Sequence, residues 1–165
     1  MRRPVILPGM NHTPAAAPSP TRSPFRRPTT LKALNDSSRG TAMEPLGIVF
    51  TEIGHDFLRA TMPVDERTRQ PYGLLHGGAS VLLAETLGST GGMLCVQEGQ
   101  GCVGIEINAN HLRGVRSGLV TGTARPLHVG RSTQVWEIRI EDAAARLVCV
   151  SRLTLAVVPL PAAAH

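Results

Sequence analysis

Residues 73–92 read GLLHGGASVLLAETLGSTGG and hold the only long helical pattern of the chain. The apolar periodicity predicts a helix over residues 77–97, beginning just after His76. Within that pattern Glu85 is the only charged side chain before Gly92. An ionised carboxylate that leaves water without a partner is strongly penalised or shifts its pKa. A chain that keeps a glutamate in this position is therefore expected to use it.

Two glycines, Gly77 and Gly78, come between His76 and the apolar part of this helix. They allow another backbone or a ligand to approach closely, and they leave free N–H groups at a helix N-terminus, where anionic atoms bind. A carboxylate on the helix together with an anion site at its start indicates hydrolysis of a carbonyl compound.

Strand patterns flank the long helix on both sides. Two precede it, at residues 47–53 and 57–64, and four follow it, near 102–113, 118–127, 133–142 and 146–158. A short helix, TLKALND, is expected at residues 30–36 with Thr30 as its N-cap. A single sheet can bury its apolar face by wrapping around one helix. The predicted fold is therefore α+β, with an antiparallel sheet of about six strands around one long central helix.

The chain divides into three parts by composition. Residues 1–28 are rich in Pro, Ala, Ser and Arg and are expected to be disordered, residues 29–158 form the domain, and residues 159–165 form a flexible C-terminus. Two interpretations of the first part stay open: a segment resembling an organellar transit peptide, or a start codon placed upstream of a true start near Met10.

The net charge of +5 belongs to the tail. Residues 1–42 hold seven Lys or Arg and one acid, whereas residues 43–165 hold ten Arg and eleven acids. The body therefore lacks a basic surface for nucleic acid, and the five aromatic residues of the chain are too few for a base-stacking platform. We expect no nucleic-acid partner.

The three cysteines are Cys95, Cys102 and Cys149, an odd number at wide spacing among apolar residues. They predict reduced, buried thiols in a cytoplasmic protein. No metal-binding spacing of Cys and His is present, and no nucleotide-binding glycine motif, so neither a metal nor another cofactor is expected. No apolar run approaches the roughly 20 residues that span a membrane.

Glu85 and Ser89 are one helical turn apart and share a face, so the hydroxyl of Ser89 can hold a water beside the carboxylate. The alternatives are a small packing residue at Ser89 and a buried salt bridge for Glu85. His76 comes nine residues before Glu85, about 13 Å along a helix. That is too far for both to act on one atom, so we expect them to meet across a dimer interface unless His76 only caps the loop.

Two further segments carry polar groups. The amide of Gln70 can donate beside the Gly77 N–H, and two such donors form an oxyanion hole, in which each is worth about 3 kcal/mol in the transition state. Residues 127–133, LHVGRST, are typical of a phosphate-contacting turn with hydroxyls and one guanidinium, or of a solvated hairpin.

Three stretches, LLHGGASVLLAETLGS, GIEINANHLR and PLHVGRSTQVWEIRI, together closely resemble the single-hotdog acyl-CoA thioesterases. The similar branch contains 1,4-dihydroxy-2-naphthoyl-CoA hydrolase, the enterobactin-pathway proofreading thioesterase and Arthrobacter-type 4-hydroxybenzoyl-CoA thioesterases. The resemblance runs from about Thr29 to Val158. It implies a hotdog fold, with a homodimer as the minimal active unit and pairing of dimers into a homotetramer.

The same resemblance implies a role for each motif residue. Glu85 would be the nucleophile or general base, Ser89 would position the water, and Gln70, His76 and the Gly77 amide of the opposing subunit would polarise the thioester carbonyl. A groove for coenzyme A would be lined by residues from three segments: Gly104; His111, Leu112, Arg113 and Gly114; and His128, Val129, Gly130, Arg131, Ser132 and Thr133.

The implied reaction converts an acyl-CoA and water into a carboxylic acid and CoA, with an aromatic or medium-sized acyl group such as 1,4-dihydroxy-2-naphthoyl. Two alternatives stay open. One is a non-catalytic acyl-CoA-binding hotdog protein. The other is a hotdog hydratase. The pattern of those enzymes, an Asp/His pair serving one site, is missing from this sequence.

Overall fold

The computed structural model describes residues 22–160, and within them two helices and six strands follow one another along the chain. These are α1 (Leu31–Ser37), β1 (Val49–Ile53), β2 (Leu58–Pro63), α2 (Gly77–Cys95), β3 (Gln100–His111), β4 (Leu119–Val129), β5 (Thr133–Asp142) and β6 (Leu147–Pro159). The hydroxyl of Thr30 accepts from the Ala33 N–H at 3.1 Å, so Thr30 is the N-cap of α1, as predicted.

The six strands form one antiparallel sheet in the order β1-β2-β4-β5-β6-β3. The chain leaves β2, runs through α2 and enters β3 at the opposite edge of the sheet. Helix α2 therefore crosses the sheet and contacts every strand except β1. The α+β prediction of a sheet wrapped around one helix is confirmed, and β3 is left as an edge strand.

Glycines let α2 lie close against the sheet. A Cβ on Gly91 would come within 2.6 Å of the Trp136 ring, and one on Gly88 would come within 2.5 Å of Leu153. Both positions lie inside α2, which continues to Cys95, so these glycines serve close packing and do not mark the helix end. Their low helix propensity is offset by the burial that the close approach permits.

The core lies between α2 and the concave face of the sheet. Its largest fully buried side chains include Trp136, Leu58, Met62, Leu83 and Leu87. Burial alternates along β2 and β5, as expected for antiparallel strands with one face turned to the core.

The boundary of the N-terminal tail requires a correction. Residues 22–28, which composition assigned to the disordered tail, pack on the domain. The ring of Phe25 stacks on that of Trp136 with centroids 6.5 Å apart, and the N–H groups of Arg26 and Arg27 both donate to the Leu94 carbonyl. One aromatic anchor and two backbone hydrogen bonds hold a segment whose composition is otherwise typical of disorder. Residues 1–21 lie outside the described part of the chain.

At the other end, β6 reaches Pro159, and the N–H of Leu160 donates to the Gly99 carbonyl at 2.8 Å. The domain therefore includes the first two residues of the expected flexible C-terminus. The remaining residues, 161–165, lie outside the described range.

All three cysteines are free, and Cys95 and Cys149 are buried. Burial raises the pKa of the Cys95 thiol to about 12. No helix within residues 22–160 is both long enough and apolar enough to cross a bilayer.

The contact between Gly91 and Trp136 yields a stability prediction. The substitution Gly91→Ala is expected to lower the free energy of unfolding by about 1–3 kcal/mol, because the added methyl collides with a fully buried ring. This cost exceeds the gain of roughly 1 kcal/mol in helix propensity. Denaturant unfolding measures the difference. The adjacent change Thr90→Ala, which adds no atom to the core, is the control, and a Gly91→Ala variant as stable as the wild type would contradict the packing argument.

Candidate active site

Glu85 lies in the middle of α2, half-buried, on the face turned towards β3. The hydroxyl of Ser89 donates to its Oε1 atom at 3.1 Å, which confirms that the two side chains share a face. On the other side lies Gly104 of β3, where a Cβ would sit only 2.6 Å from the same oxygen. The pairing of β3 with β6 is irregular between Gly104 and Glu106, so a bulge adjoins the carboxylate.

Within residues 22–160, no Lys, Arg or His nitrogen lies within 4 Å of the Glu85 carboxylate. The alternative in which Glu85 serves only a buried salt bridge is therefore not supported by the described chain. Among the described residues its carboxylate has one hydrogen-bonded neighbour, Ser89.

His76 is the N-cap of α2. Its Nδ1 atom accepts from the Gly78 N–H at 2.8 Å, and its backbone N–H donates to the Thr68 carbonyl. A ring nitrogen that accepts carries no proton, so neutral His76 holds its proton on Nε2. The cap thus orients an exposed side chain with a free N–H donor. Capping and a role in binding are compatible for this histidine.

A cavity of about 330 Å³ lies at the N-terminal end of α2. It is lined by Gln70, by Gly77 and by the segment His111, Leu112, Arg113 and Gly114. The structure thus brings together three parts of the chain that the sequence analysis assigned to the site. The imidazole of His111 lies so close to Gly77 that a Cβ there would come within 2.8 Å of its Nε2. Among the described residues the Gly77 N–H has no acceptor, so it is free to donate to a ligand.

The loop before α2 is folded back by its own backbone. The N–H of Gln70 donates to the Leu74 carbonyl, and the N–H of Gly73 donates to the Gln70 carbonyl. Gly73 has a φ of 74°, which favours glycine. This turn holds the Gln70 side chain at the cavity wall beside Gly77.

The predicted turn at residues 128–133 lies elsewhere, at the C-terminal end of α2. Gly130 donates to the Thr133 carbonyl across the turn, and Val129, Gly130 and Arg131 line a cavity of about 360 Å³ together with Cys95. The structure thus separates the predicted site residues into three places along one chain. The donors and the His111–Gly114 segment are at the start of α2, Glu85 with Ser89 and Gly104 is at its middle, and residues 128–133 are at its end.

Comparison with known proteins identifies the family. The model of the thioesterase superfamily matches residues 72–149. Proofreading thioesterase EntH of Cronobacter sakazakii is 56% identical over 133 residues, which are 81% of this chain and 97% of that protein. The chain belongs to the thioesterase superfamily.

Two further relatives support the assignment. The 1,4-dihydroxy-2-naphthoyl-CoA hydrolase of Escherichia coli K12 is 55% identical over 81% of this chain and 98% of that protein. The crystal structure of a thioesterase from Haemophilus influenzae superposes with a TM-score of 0.82 at 52% identity, covering 86% of this chain and 99% of that one. The fold is therefore the hotdog fold of this superfamily, and the protein is a thioester hydrolase.

The sequence of this thioesterase did not predict several of the residues that lie around the site. Ser80 and Val148 line the cavity at the start of α2, and Phe25, Arg26 and Arg27 lie at the end of α2. Ser80 could have been suspected because it lies in the first turn after the glycines. For Phe25 the only signal was one aromatic residue within a proline-rich tail.

The close approach of Gly104 to Glu85 predicts that Gly104→Ala lowers the turnover of the enzyme. The added methyl would lie beside Oε1 and displace the Glu85 carboxylate. Because Gly104 itself is exposed, the methyl should cost little stability. If Glu85 is the reacting group, kcat is expected to fall about tenfold or more, since small misplacement of such a group is costly.

Release of free thiol from an acyl-CoA measures this effect, with thermal unfolding as the check on stability. The matched control is Gly101→Ala on the same strand, where the three atoms nearest to the methyl all belong to the Leu160 side chain. Equal turnover of the two variants would contradict the role assigned to Gly104.

Proposed function

We propose that this enzyme hydrolyses acyl-CoA thioesters with Glu85 as the nucleophile or general base. The observation that carries the proposal is the Glu85 carboxylate, which is half-buried, bonded to Ser89 and unpaired with any cation of the described chain. Such a group can attack the carbonyl carbon or remove a proton from an attacking water. As a general base, Glu85 takes a proton from the water that adds to the carbonyl carbon; the C–S bond then breaks, the free acid forms, and the proton passes to the CoA thiolate. As a nucleophile, Glu85 displaces the CoA thiolate and forms a mixed anhydride with the acyl group, and water then cleaves this anhydride, which releases the acid, restores the Glu85 carboxylate and supplies the proton for the thiolate.

The carbonyl oxygen requires donors, and three are available at the start of α2. The Gly77 N–H is unused, the Gln70 side chain lines the same cavity, and the capped His76 presents its Nε2–H. Donors aimed at a developing oxyanion in a water-poor site supply a large part of catalysis in acyl transfer.

We propose that these donors and Glu85 come from two subunits. Along one helix they are separated by eight or nine residues, about 13 Å, which is too far for one carbonyl group. The edge strand β3 supports the pairing, because it is twelve residues long and exposes Val103 and Ile105 next to Gly104. A long unpaired edge with apolar side chains is a surface that proteins normally cover. A twofold axis at β3 would set the α2 helices of two copies side by side.

The homodimer is then the minimal active unit, and we extend the proposal to pairing of dimers into a homotetramer. A cytoplasmic location is proposed as well, supported by the three unpaired cysteines.

The acyl group is proposed to be aromatic or medium-sized. Two relatives at about 55% identity support this choice: one is named a hydrolase of 1,4-dihydroxy-2-naphthoyl-CoA and the other a proofreading thioesterase. Comparison of kcat/KM for 1,4-dihydroxy-2-naphthoyl-CoA, benzoyl-CoA and a medium-chain acyl-CoA ranks the candidates.

The central test is Glu85→Gln, which keeps the shape of the side chain and removes its charge and basicity. We expect kcat to fall by about 10²–10⁴-fold, the usual contribution of a general base or nucleophile. The affinity for CoA and the thermal stability should change little. Thiol release and calorimetric CoA binding measure both quantities.

The control is Glu66→Gln, a neutralisation of an exposed carboxylate in the loop before α2. Near-normal turnover by Glu85→Gln would refute the mechanism. A wild-type protein that binds CoA but releases no thiol from any acyl-CoA would instead favour the non-catalytic binding protein.

Mixing two inactive variants tests the two-subunit site. A dimer of one Glu85→Gln chain and one Gln70→Ala chain has one site with both defects and one site with neither. Random exchange of equal amounts should therefore restore about a quarter of wild-type activity in a symmetric dimer. Restoration is measured by thiol release after co-refolding. A site built within one chain predicts no gain over the separate variants.

A further inference from the structure

A strap formed by residues 22–28 closes one side of the cavity at the C-terminal end of α2. The N–H groups of Arg26 and Arg27 donate to the Leu94 carbonyl at 2.7 and 3.1 Å, and Phe25 stacks on Trp136. The guanidinium of Arg27 donates to the carbonyls of Gln97 and Gln100 at 2.5 and 2.7 Å. The strap is thus held by backbone hydrogen bonds, by the stacking of Phe25 and by the hydrogen bonds of the Arg27 guanidinium.

This anchoring gives Arg26 and Arg27, two of the three arginines of the strap, different roles. The Arg27 side chain donates to carbonyl groups just beyond the end of α2. A cation is stabilised there by the partial negative charge of the helix C-terminus. The Arg26 side chain is exposed and makes no hydrogen bond or ion pair within residues 22–160. It lines the cavity of about 360 Å³ from one side, and Arg131 of the β4–β5 turn lines it from the other.

The charge in this cavity is one-sided. Its wall carries two guanidinium groups and the side chains of Gln97, Gln100 and Gln134, but no carboxylate. Arg131, like Arg26, has no carboxylate oxygen within 4 Å in the described chain. Other arginines of the described chain also lack an acidic partner, so what sets Arg26 and Arg131 apart is that both line one cavity.

Arg26 and Cys95 line the same cavity. Burial raises the pKa of Cys95, while the positive charge of Arg26 acts in the opposite direction on the same thiol. Two unpaired guanidinium groups facing a shared space, with polar amides and no acid between them, form a site for a ligand carrying more than one negative charge.

We propose that Arg26 binds, together with Arg131, the phosphate groups of the coenzyme A portion of the substrate, so that the strap is part of the nucleotide site. The inference rests on the proposed acyl-CoA activity. Arg26 lies outside every segment that the resemblance assigned to CoA binding. The phosphates of CoA are separated from its thioester by an extended arm, and the cavity wall at Cys95 lies ten residues beyond Glu85, about 15 Å along α2.

The test compares a substrate that has the phosphates with one that lacks them. Arg26→Ala should raise KM for benzoyl-CoA by about three- to tenfold at low salt, with kcat unchanged, because one partly exposed guanidinium–phosphate contact is lost. KM for S-benzoyl-N-acetylcysteamine, which carries no phosphate, should stay within about twofold, and Arg26→Lys should restore part of the benzoyl-CoA effect. The difference between Arg26→Ala and the wild type should shrink as salt is added.

Arg39→Ala is the matched control, since it removes one positive charge from an exposed site near α1. Equal changes for both substrates would overturn the proposal and assign Arg26 a structural role in the strap. Unchanged KM for benzoyl-CoA would overturn it as well.

Calorimetric binding of CoA and of pantetheine, which needs no turnover, separates this inference from the proposed function. A CoA affinity that falls in Arg26→Ala, with pantetheine binding unchanged, supports the site even in a protein that hydrolyses none of the thioesters. Equal CoA affinity of Arg26→Ala and the wild type overturns the site even in an active thioesterase.

Discussion

The close packing of α2 against the concave face of the sheet is the contact on which the rest of the structure depends. Gly88 and Gly91 bring the helix backbone next to Leu153 and Trp136. All four residues are buried. Because a Cβ would not fit at these points, the distance between helix and sheet is set by the absence of side chains. The strands curve around the helix, and the side of the helix next to the edge strand β3 carries Glu85 and Ser89.

That division of the helix explains how an acid survives in an apolar segment. The sheet takes the face with Leu83 and Leu87, and Glu85 with Ser89 falls on the half-buried face beside β3. A charge there keeps access to water or ligand, so it avoids the full cost of burial without a partner. The absence of a side chain at Gly104, next to a bulge in β3, leaves room for the carboxylate at the sheet edge.

The two ends of α2 are completed by other parts of the chain. His76 caps the first turn through its side chain, whereas the last turn receives two N–H groups from Arg26 and Arg27 at the Leu94 carbonyl. The residue after the helix, Val96, has extended backbone and supplies no glycine cap. A cavity adjoins each end of the helix: the one at the start is lined by Gln70 and Gly77, and the one at the end by Arg26 and Arg131.

The sequence by itself determined the order of the elements, the α+β class, the N-cap Thr30 and the shared face of Glu85 and Ser89, because these follow from local periodicity and capping chemistry. Motif resemblance supplied the family. Only the tertiary structure decided that Gly104 adjoins Glu85, that His111 covers Gly77, and that the segment around Phe25 is ordered. These are contacts between residues far apart in the chain, which local patterns do not contain. Composition describes the average polarity of residues 22–28, but it does not show that one aromatic ring in that segment has a buried partner.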